Sequence, residues 1–261
     1  MDLNLSGKTA LIAASSQGLG FAIAERLLKE GANVIISGRN EQKLQQRAAE
    51  LSHISTGTLI FQQADLMNKE DIKRLIATAA ESFGGIDILV NNAGGPPAGS
   101  FEALSDEEWQ ASFELNLLSY VRMIREALPY LKQNGGKILN VASSSIKEPI
   151  PGLILSNTFR TGIVGMSKTL AAELAPYNIL INTIAPGRIA TDRVKHLDQV
   201  NADKLGIDRA AVEVQMKEVI PLKRYGTPEE FANVAAFLVS DANTYMTGSS
   251  FLVDGGMVKS I

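Results

Sequence analysis

The sequence predicts an α/β protein, a single-domain, doubly wound parallel sheet of about seven strands with helices on both faces. Three observations carry that prediction. Short runs rich in Val, Ile and Leu alternate along the whole chain with stretches whose apolar residues recur at three and four spacing, the pattern of strand–helix–strand crossover units. Several of the strand runs are continuously apolar, as expected where both sheet faces are covered. The first run ends in a glycine-containing turn that opens a helix.

The elements follow in order. KTALIAA (8–14) reads as the first strand, and Phe21, Ala24, Leu27 and Leu28 mark the apolar stripe of the helix after it. NVIISG (33–38) and GTLIFQQ (57–63) are the next two strands, and Ile72, Leu75, Ile76 and Ala79 form a second helical stripe. IDILVNN (86–92) is followed by a helical segment at about 106–132, and GKILNVAS (136–143) by one at about 156–175. ILINTIAP (179–186) and SSFLVDG (249–255) complete the set. Between the last two strands, at about 191–222, lies a charged, helix-capable insertion far longer than the usual ~2–6 residue connection. It reads as a lid over the carboxyl ends of the strands, or as a plain surface excursion. No repeat or linker divides residues 1–261, so one domain is expected.

Composition narrows the function classes. Net charge is 25 − 28 = −3 without a basic block, so no nucleic-acid partner is expected. The chain has no cysteine, and His53 and His196 are its only histidines, so no metal centre is expected. No apolar run approaches the ~18 residues of a membrane span. The start lacks the basic region of a signal peptide, which makes a cytoplasmic protein the expectation.

Nucleotide-binding signals gather at strand ends. In AASSQGLG (13–20), Gly18 and Gly20 bring backbone close to a pyrophosphate at a helix N-terminus, or simply make a tight turn. Arg39, at the end of the second strand, suits the 2′-phosphate of NADP, where NAD enzymes tend to place an acid; otherwise it is a solvated arginine opening a helix. Asp65 follows the third strand as an acceptor for the adenine amino group or as the N-cap of a helix over 68–83. Asn91 to Gly94 ends the fourth strand with amide and small residues, which also make ordinary turns.

Taken in order, these segments resemble the short-chain dehydrogenase/reductase family, closest to its 3-oxoacyl-acyl-carrier-protein reductase-like members. AASSQGLG stands where the family has Thr-Gly-x-x-x-Gly-x-Gly, with Ala14 at the first glycine, and NNAG (91–94) matches in full. FELNL (113–117), INTIAPGRIATD (181–192), GTPEEFANVAAFLVSD (226–241) and TGSSFLVDGG (247–256) continue the match over nearly the whole chain. The resemblance implies a Rossmann fold and a dinucleotide lined by Ser16, Gly18, Leu19, Arg39, Asp65, Leu66, Asn92, Ala93, Gly94, Pro186, Gly187, Ile189 and Thr191. NADP(H) is the implied cofactor, with NAD(H) as the alternative. Gln17 sits where some NADP-using members carry a second basic residue, so the preference rests on Arg39. A homotetramer paired through the segments at about 106–132 and 156–175 is also implied.

The family's catalytic frame is present with altered residues. Ser143 is followed 13 residues later by Ser156 and four after that by Arg160, the spacing of the family's Ser, Tyr and Lys. By the resemblance, Asn116 holds a water that feeds the proton relay, Ser143 orients the carbonyl, Ser156 stands in the tyrosine's place, and Arg160 grips the ribose as well as stabilising an oxyanion. A serine hydroxyl is a far weaker acid than a phenol, and an arginine stays charged and passes no proton along. Arg160 also reads as a surface or interface arginine. Lys147, His196 and Tyr120 are other candidates for the acid, each with an ordinary structural reading beside it: a surface pair with Glu148, a solvated histidine, a helix-packing tyrosine. Two functions remain open. One is an NADPH-dependent reductase of a ketone or acyl-thioester carbonyl; the other is a non-catalytic NADP-binding sensor or scaffold.

Overall fold

The computed structural model describes residues 1–54 and 56–260. Its strands are β1 (Thr9–Ile12), β2 (Asn33–Gly38), β3 (Leu59–Gln63), β4 (Ile88–Asn91), β5 (Gly136–Val141), β6 (Ile179–Pro186) and β7 (Ser250–Val253). They form one seven-stranded sheet in the order β3-β2-β1-β4-β5-β6-β7, parallel throughout. The helices are α1 (Gly18–Lys29), α2 (Glu41–Ser52), α3 (Lys69–Phe83), α4 (Asp106–Phe113), α5 (Ser119–Asn134), α6 (Ile154–Leu174), α7 (Asp192–Leu205), α8 (Arg209–Val219) and α9 (Pro228–Val239). β2 and β6 keep the bounds read from sequence. The other strands are trimmed because their predicted tails turn away from the ladder; Ala14, for one, already has a φ of 46°.

Successive strand residues point to opposite faces, which divides the core in two. Ile12, Ile36, Val90 and Leu139 pack with Leu27 and Leu28 of α1 and Phe231 of α9. Leu11, Ile35, Leu89 and Ile138 face the other way, onto Ile72 and Leu75 of α3, Met123 and Ile124 of α5, and Ile163 of α6. Complete burial of each such side chain stabilises the fold by about 1.5–3 kcal/mol. The strand order reverses between β1 and β4, which opens a crevice at their carboxyl ends.

Helix starts differ in a way that matters at this crevice. Side chains of Asn40, Asn68, Ser105 and Thr227 cap α2, α3, α4 and α9. No side chain caps α1 at Gln17 or α7 at Thr191. Both helices begin at the crevice, so their first-turn N–H groups are left for a ligand. The segment expected as one helix over 106–132 is broken by a π-helical turn at Glu114–Leu118. The 191–222 insertion folds as α7 and α8. On the inner face of α7, Asp198 is 1% exposed, ion-paired with Arg188, and accepts from the Tyr225 hydroxyl at 2.9 Å. Burial and that bond push the Tyr225 phenol well above its usual range. No described helix is long and apolar enough to cross a membrane.

Candidate active site

A cavity of about 580 Å³ occupies the crevice. Ser16, Gly18 and Leu19 enter it from the β1–α1 turn, Arg39 from the end of β2, and Asp65 and Leu66 from beyond β3. Asn92, Ala93 and Gly94 line it after β4, and Pro186, Gly187, Ile189 and Thr191 line it from β6 onward. The turn itself is tightly built. Gly18 has a φ of 60°, and a Cβ on Gly20 would stand 2.8 Å from both the Ala14 carbonyl oxygen and Asn92 Nδ2. Asn92 Nδ2 donates to that carbonyl at 3.0 Å, and the Ala14 N–H donates to Ser37 Oγ at 3.2 Å. Ala14 is thereby held in a left-handed conformation that glycine adopts at less cost.

At the outer end, the Arg39 side chain is exposed and, among the described residues, pairs with no carboxylate. Two further cations stand beside it. Lys43, in the first turn of α2, donates to the Gln17 side chain, and Arg47 Nε donates to the Ser16 carbonyl at 3.3 Å. Sequence reasoning missed both. The available signal was their spacing, one and two helical turns after Arg39. Asp65 is not the cap of α3; Asn68 takes that place, accepting from Glu70 N–H at 2.9 Å. Asp65 Oδ1 instead accepts from Met67 N–H at 3.0 Å. Open N–H groups at α1, close backbone approach and two cations beyond β2, Arg39 and Lys43, that pair with no carboxylate among the described residues (Arg47 pairs with Glu50) together fit a dinucleotide.

Ser143, Ser156 and Arg160 line the same cavity. Ser143 ends the strand region of β5, and its Oγ accepts from Ser145 N–H at 3.2 Å. Ser156 is 7% and Arg160 4% exposed. Arg160 Nη1 donates to Tyr120 Oη at 2.7 Å and to the Val141 carbonyl at 2.8 Å, and Nη2 donates to the Ala93 carbonyl at 3.2 Å. The surface reading of Arg160 does not hold. Between Ser156 and Arg160, Asn157 makes a two-bond clamp on Ile150, donating to its carbonyl at 3.0 Å and accepting from its N–H at 3.2 Å. That clamp fixes the loop between Ser143 and α6, and no motif or periodicity in the chain signals it.

Asn116 is set apart from the others. It is fully buried in the π turn, behind the cavity wall, where its neighbour Leu115 is the lining residue. Its side-chain N and O have no protein partner. Two of the alternative acids turn away. His196 and Lys147 are both exposed, and Glu148 accepts from the Lys259 N–H at 3.2 Å. Tyr120, the third, is buried with Arg160, and burial pushes its phenol up against the opposing pull of that cation.

The fold and this cleft define a nucleotide-binding α/β protein of the doubly wound class. The sequence model of a family described as Enoyl-(Acyl carrier protein) reductase matches residues 13–258. Dehydrogenase/reductase SDR family member 4 of Homo sapiens is 38% identical over 257 residues, covering 97% of this chain and 88% of that protein. The 3-oxoacyl-[acyl-carrier-protein] reductase FabG of Aquifex aeolicus is 34% identical over 258 residues, covering 98% of this chain and all of that one (100%). L-sorbose reductase from Gluconobacter frateurii, solved with NADPH and L-sorbose, superposes with a TM-score of 0.95 at 35% identity, with 100% of each chain covered. The chain belongs to the short-chain dehydrogenase/reductase family and is an oxidoreductase of that family.

Proposed function

We propose that this chain is an NADPH-dependent reductase that converts a ketone or 3-oxoacyl carbonyl to an alcohol through an altered catalytic set, Asn116, Ser143, Ser156 and Arg160. The observation that carries this reading is the placement of Arg160. Its guanidinium is fixed by three acceptors at the wall that also holds Ser143 and Ser156. Of the five N–H donors on a guanidinium, three are used there, which leaves two without a protein acceptor.

Bound NADPH supplies the hydride. Ser16, Gly18, Leu19, Asp65, Leu66 and the Asn92–Gly94 segment hold the nucleotide; Arg39 with Lys43 takes the 2′-phosphate; Pro186, Gly187, Ile189 and Thr191 take the nicotinamide end. NADPH in the structural relative from Gluconobacter supports that choice over NADH. Ser143 orients the carbonyl, and the free N–H groups of Arg160 stabilise the developing alkoxide without giving up a proton. Water, reached through the Ser156 hydroxyl, supplies the proton. Asn116 is buried behind the wall with its amide unpartnered, and it backs this relay.

We further read 1–261 as one domain, α7 and α8 as its lid, and the assembly as a homotetramer in the cytoplasm paired through the α4–α5 and α6 segments. Steady-state NADPH oxidation across ketones and acyl thioesters tests the central reading. Substrate-dependent consumption that is lost in both Ser143→Ala and Arg160→Ala supports it. Tight NADPH binding with no turnover on any carbonyl would make the chain a dinucleotide-binding protein instead. Light scattering that shows a monomer at micromolar concentration would remove the tetramer.

A further inference from the structure

Arg160 and Arg193 present two guanidiniums to one cleft, and among the described residues neither pairs with a carboxylate. Arg193 stands in the first turn of α7 and reaches across to the segment after β4. There its Nη2 donates to the Pro96 carbonyl at 2.7 Å. A Cβ on Gly95 would lie 2.9 Å from Nη2 and 3.0 Å from Nε, so the absence of a side chain at Gly95 lets the guanidinium seat. Arg160 holds the other end of the same short stretch, at the Ala93 carbonyl. Burial, and then the charge of Arg160, push the Arg193 pKa down. The acids in the wall are engaged elsewhere: Asp192 is solvent-exposed and pairs with Lys195 at 3.4 Å, and Asp65 accepts from Met67 N–H. Two cations sharing a partly desolvated wall, with only neutral carbonyl and hydroxyl acceptors, lack compensation that an anionic ligand supplies.

The anion is a carboxylate on the substrate or a phosphate of the dinucleotide, and position favours the first. The open N-terminus of α1 lies beside Thr191, whose Cγ2 is 3.9 Å from where a Gly18 Cβ would be. The backbone after β4 runs away from that point. It starts at Asn92, bonded to Ala14, and ends at Gly99, whose N–H donates to the Gly152 carbonyl at 2.8 Å. Pro96 lies on the far part of this path, where Leu153, Val194 and Leu197 make the wall apolar.

We propose that Arg193 binds a carboxylate of the substrate, so that the chain reduces oxo acids carrying a short aliphatic portion. This rests on the reductase reading above. Hydride adds to the carbonyl carbon, the C=O π pair becomes an alkoxide, and water protonates it. The products are a hydroxy acid and NADP⁺, and the carboxylate takes no part in the chemistry.

The test compares oxo acids with neutral ketones of equal chain length in wild type, Arg193→Gln and Arg193→Lys. Calorimetry measures NADPH affinity and hydroxy-acid affinity of the NADP⁺-loaded protein for all three. The expected result is a tenfold or greater rise in KM for the oxo acid in Arg193→Gln, with kcat, neutral-ketone KM and NADPH affinity changed less than twofold. Hydroxy-acid affinity should fall by the same factor, and Arg193→Lys should recover part of both losses. An equal loss for acid and neutral substrate overturns the proposal. So does a tenfold weakening of NADPH alone, which identifies the anion as a phosphate. If nothing is reduced, the reductase reading fails by itself, and the hydroxy-acid titration still decides the role of Arg193: no Arg193-dependent binding sinks it.

Discussion

The Tyr120 hydroxyl accepts from Arg160 Nη1 at 2.7 Å, and both side chains donate to the Val141 carbonyl, each at 2.8 Å. The two residues come from α5 and α6 and close a three-membered hydrogen-bond cluster over the end of β5. Tyr120→Phe removes the oxygen that sets the Arg160 rotamer and leaves a buried N–H unpaired. The expected cost is about 1–3 kcal/mol of folding stability. Turnover should fall by about tenfold, roughly 1.4 kcal/mol of transition-state stabilisation, with KM for NADPH unchanged. Thermal unfolding and steady-state kinetics on the same preparation check both. A stability loss with no change in kcat would make Tyr120 a packing residue only.

Restoring the family's acid pair is the most direct test of the altered catalytic set. Ser156→Tyr combined with Arg160→Lys should raise reduction of a reactive ketone by ~10²-fold, the scale of general acid catalysis. Ser156→Tyr alone should gain less, because Arg160 is held by Tyr120, Val141 and Ala93 and does not move to serve a phenol. No gain in the double variant, with NADPH still bound, would place the chemistry elsewhere.

Cofactor choice should depend on two cations. Arg39→Ala is expected to weaken NADPH by ~1.5–3 kcal/mol and leave NADH nearly unchanged, the range of a charge-assisted hydrogen bond. Lys43→Ala should act in the same direction and more weakly, since Lys43 stands at Gln17 rather than in the cleft wall. Calorimetric titrations with both nucleotides decide it; parallel losses for the two would exclude a 2′-phosphate contact.

Ala14 occupies a left-handed backbone position with a φ of 46°. Ala14→Gly should therefore raise stability by about 0.5–1 kcal/mol, the strain relieved exceeding the added chain entropy. NADPH affinity should stay equal or improve. A marked weakening would mean that the methyl group itself supports the nucleotide turn.

Much of this arrangement is readable in the chain because it is local. The strand runs are continuous, the Gly18–Gly20 turn is contiguous, and Ser143, Ser156 and Arg160 fall within one strand–loop–helix unit. What escaped the sequence is long-range. The Arg193–Pro96 bond spans 97 residues and the Arg160–Tyr120 bond 40, and no periodicity reports such a pairing. Local competition decides the alternative reading of Asp65 as a cap, because Asn68 sits one residue ahead of α3 and takes that place. The π turn at Glu114–Leu118 was invisible because its residues are ordinary helix formers by propensity.

The part-buried Arg188–Asp198 pair joins residues ten apart and staples the stretch between them to the end of the sheet. Ile189, Thr191 and Arg193 all lie inside that staple, so this part of the cleft wall and the cation beside it are tied to the sheet, and the lid motion proposed for α7 and α8 is left to the residues beyond Asp198. The nearest pivot outside it is Gly206, at a φ of 67° between α7 and α8. Sequence drift in α8, none of whose residues lines the cleft, should therefore leave the wall that is proposed to hold the nucleotide in place.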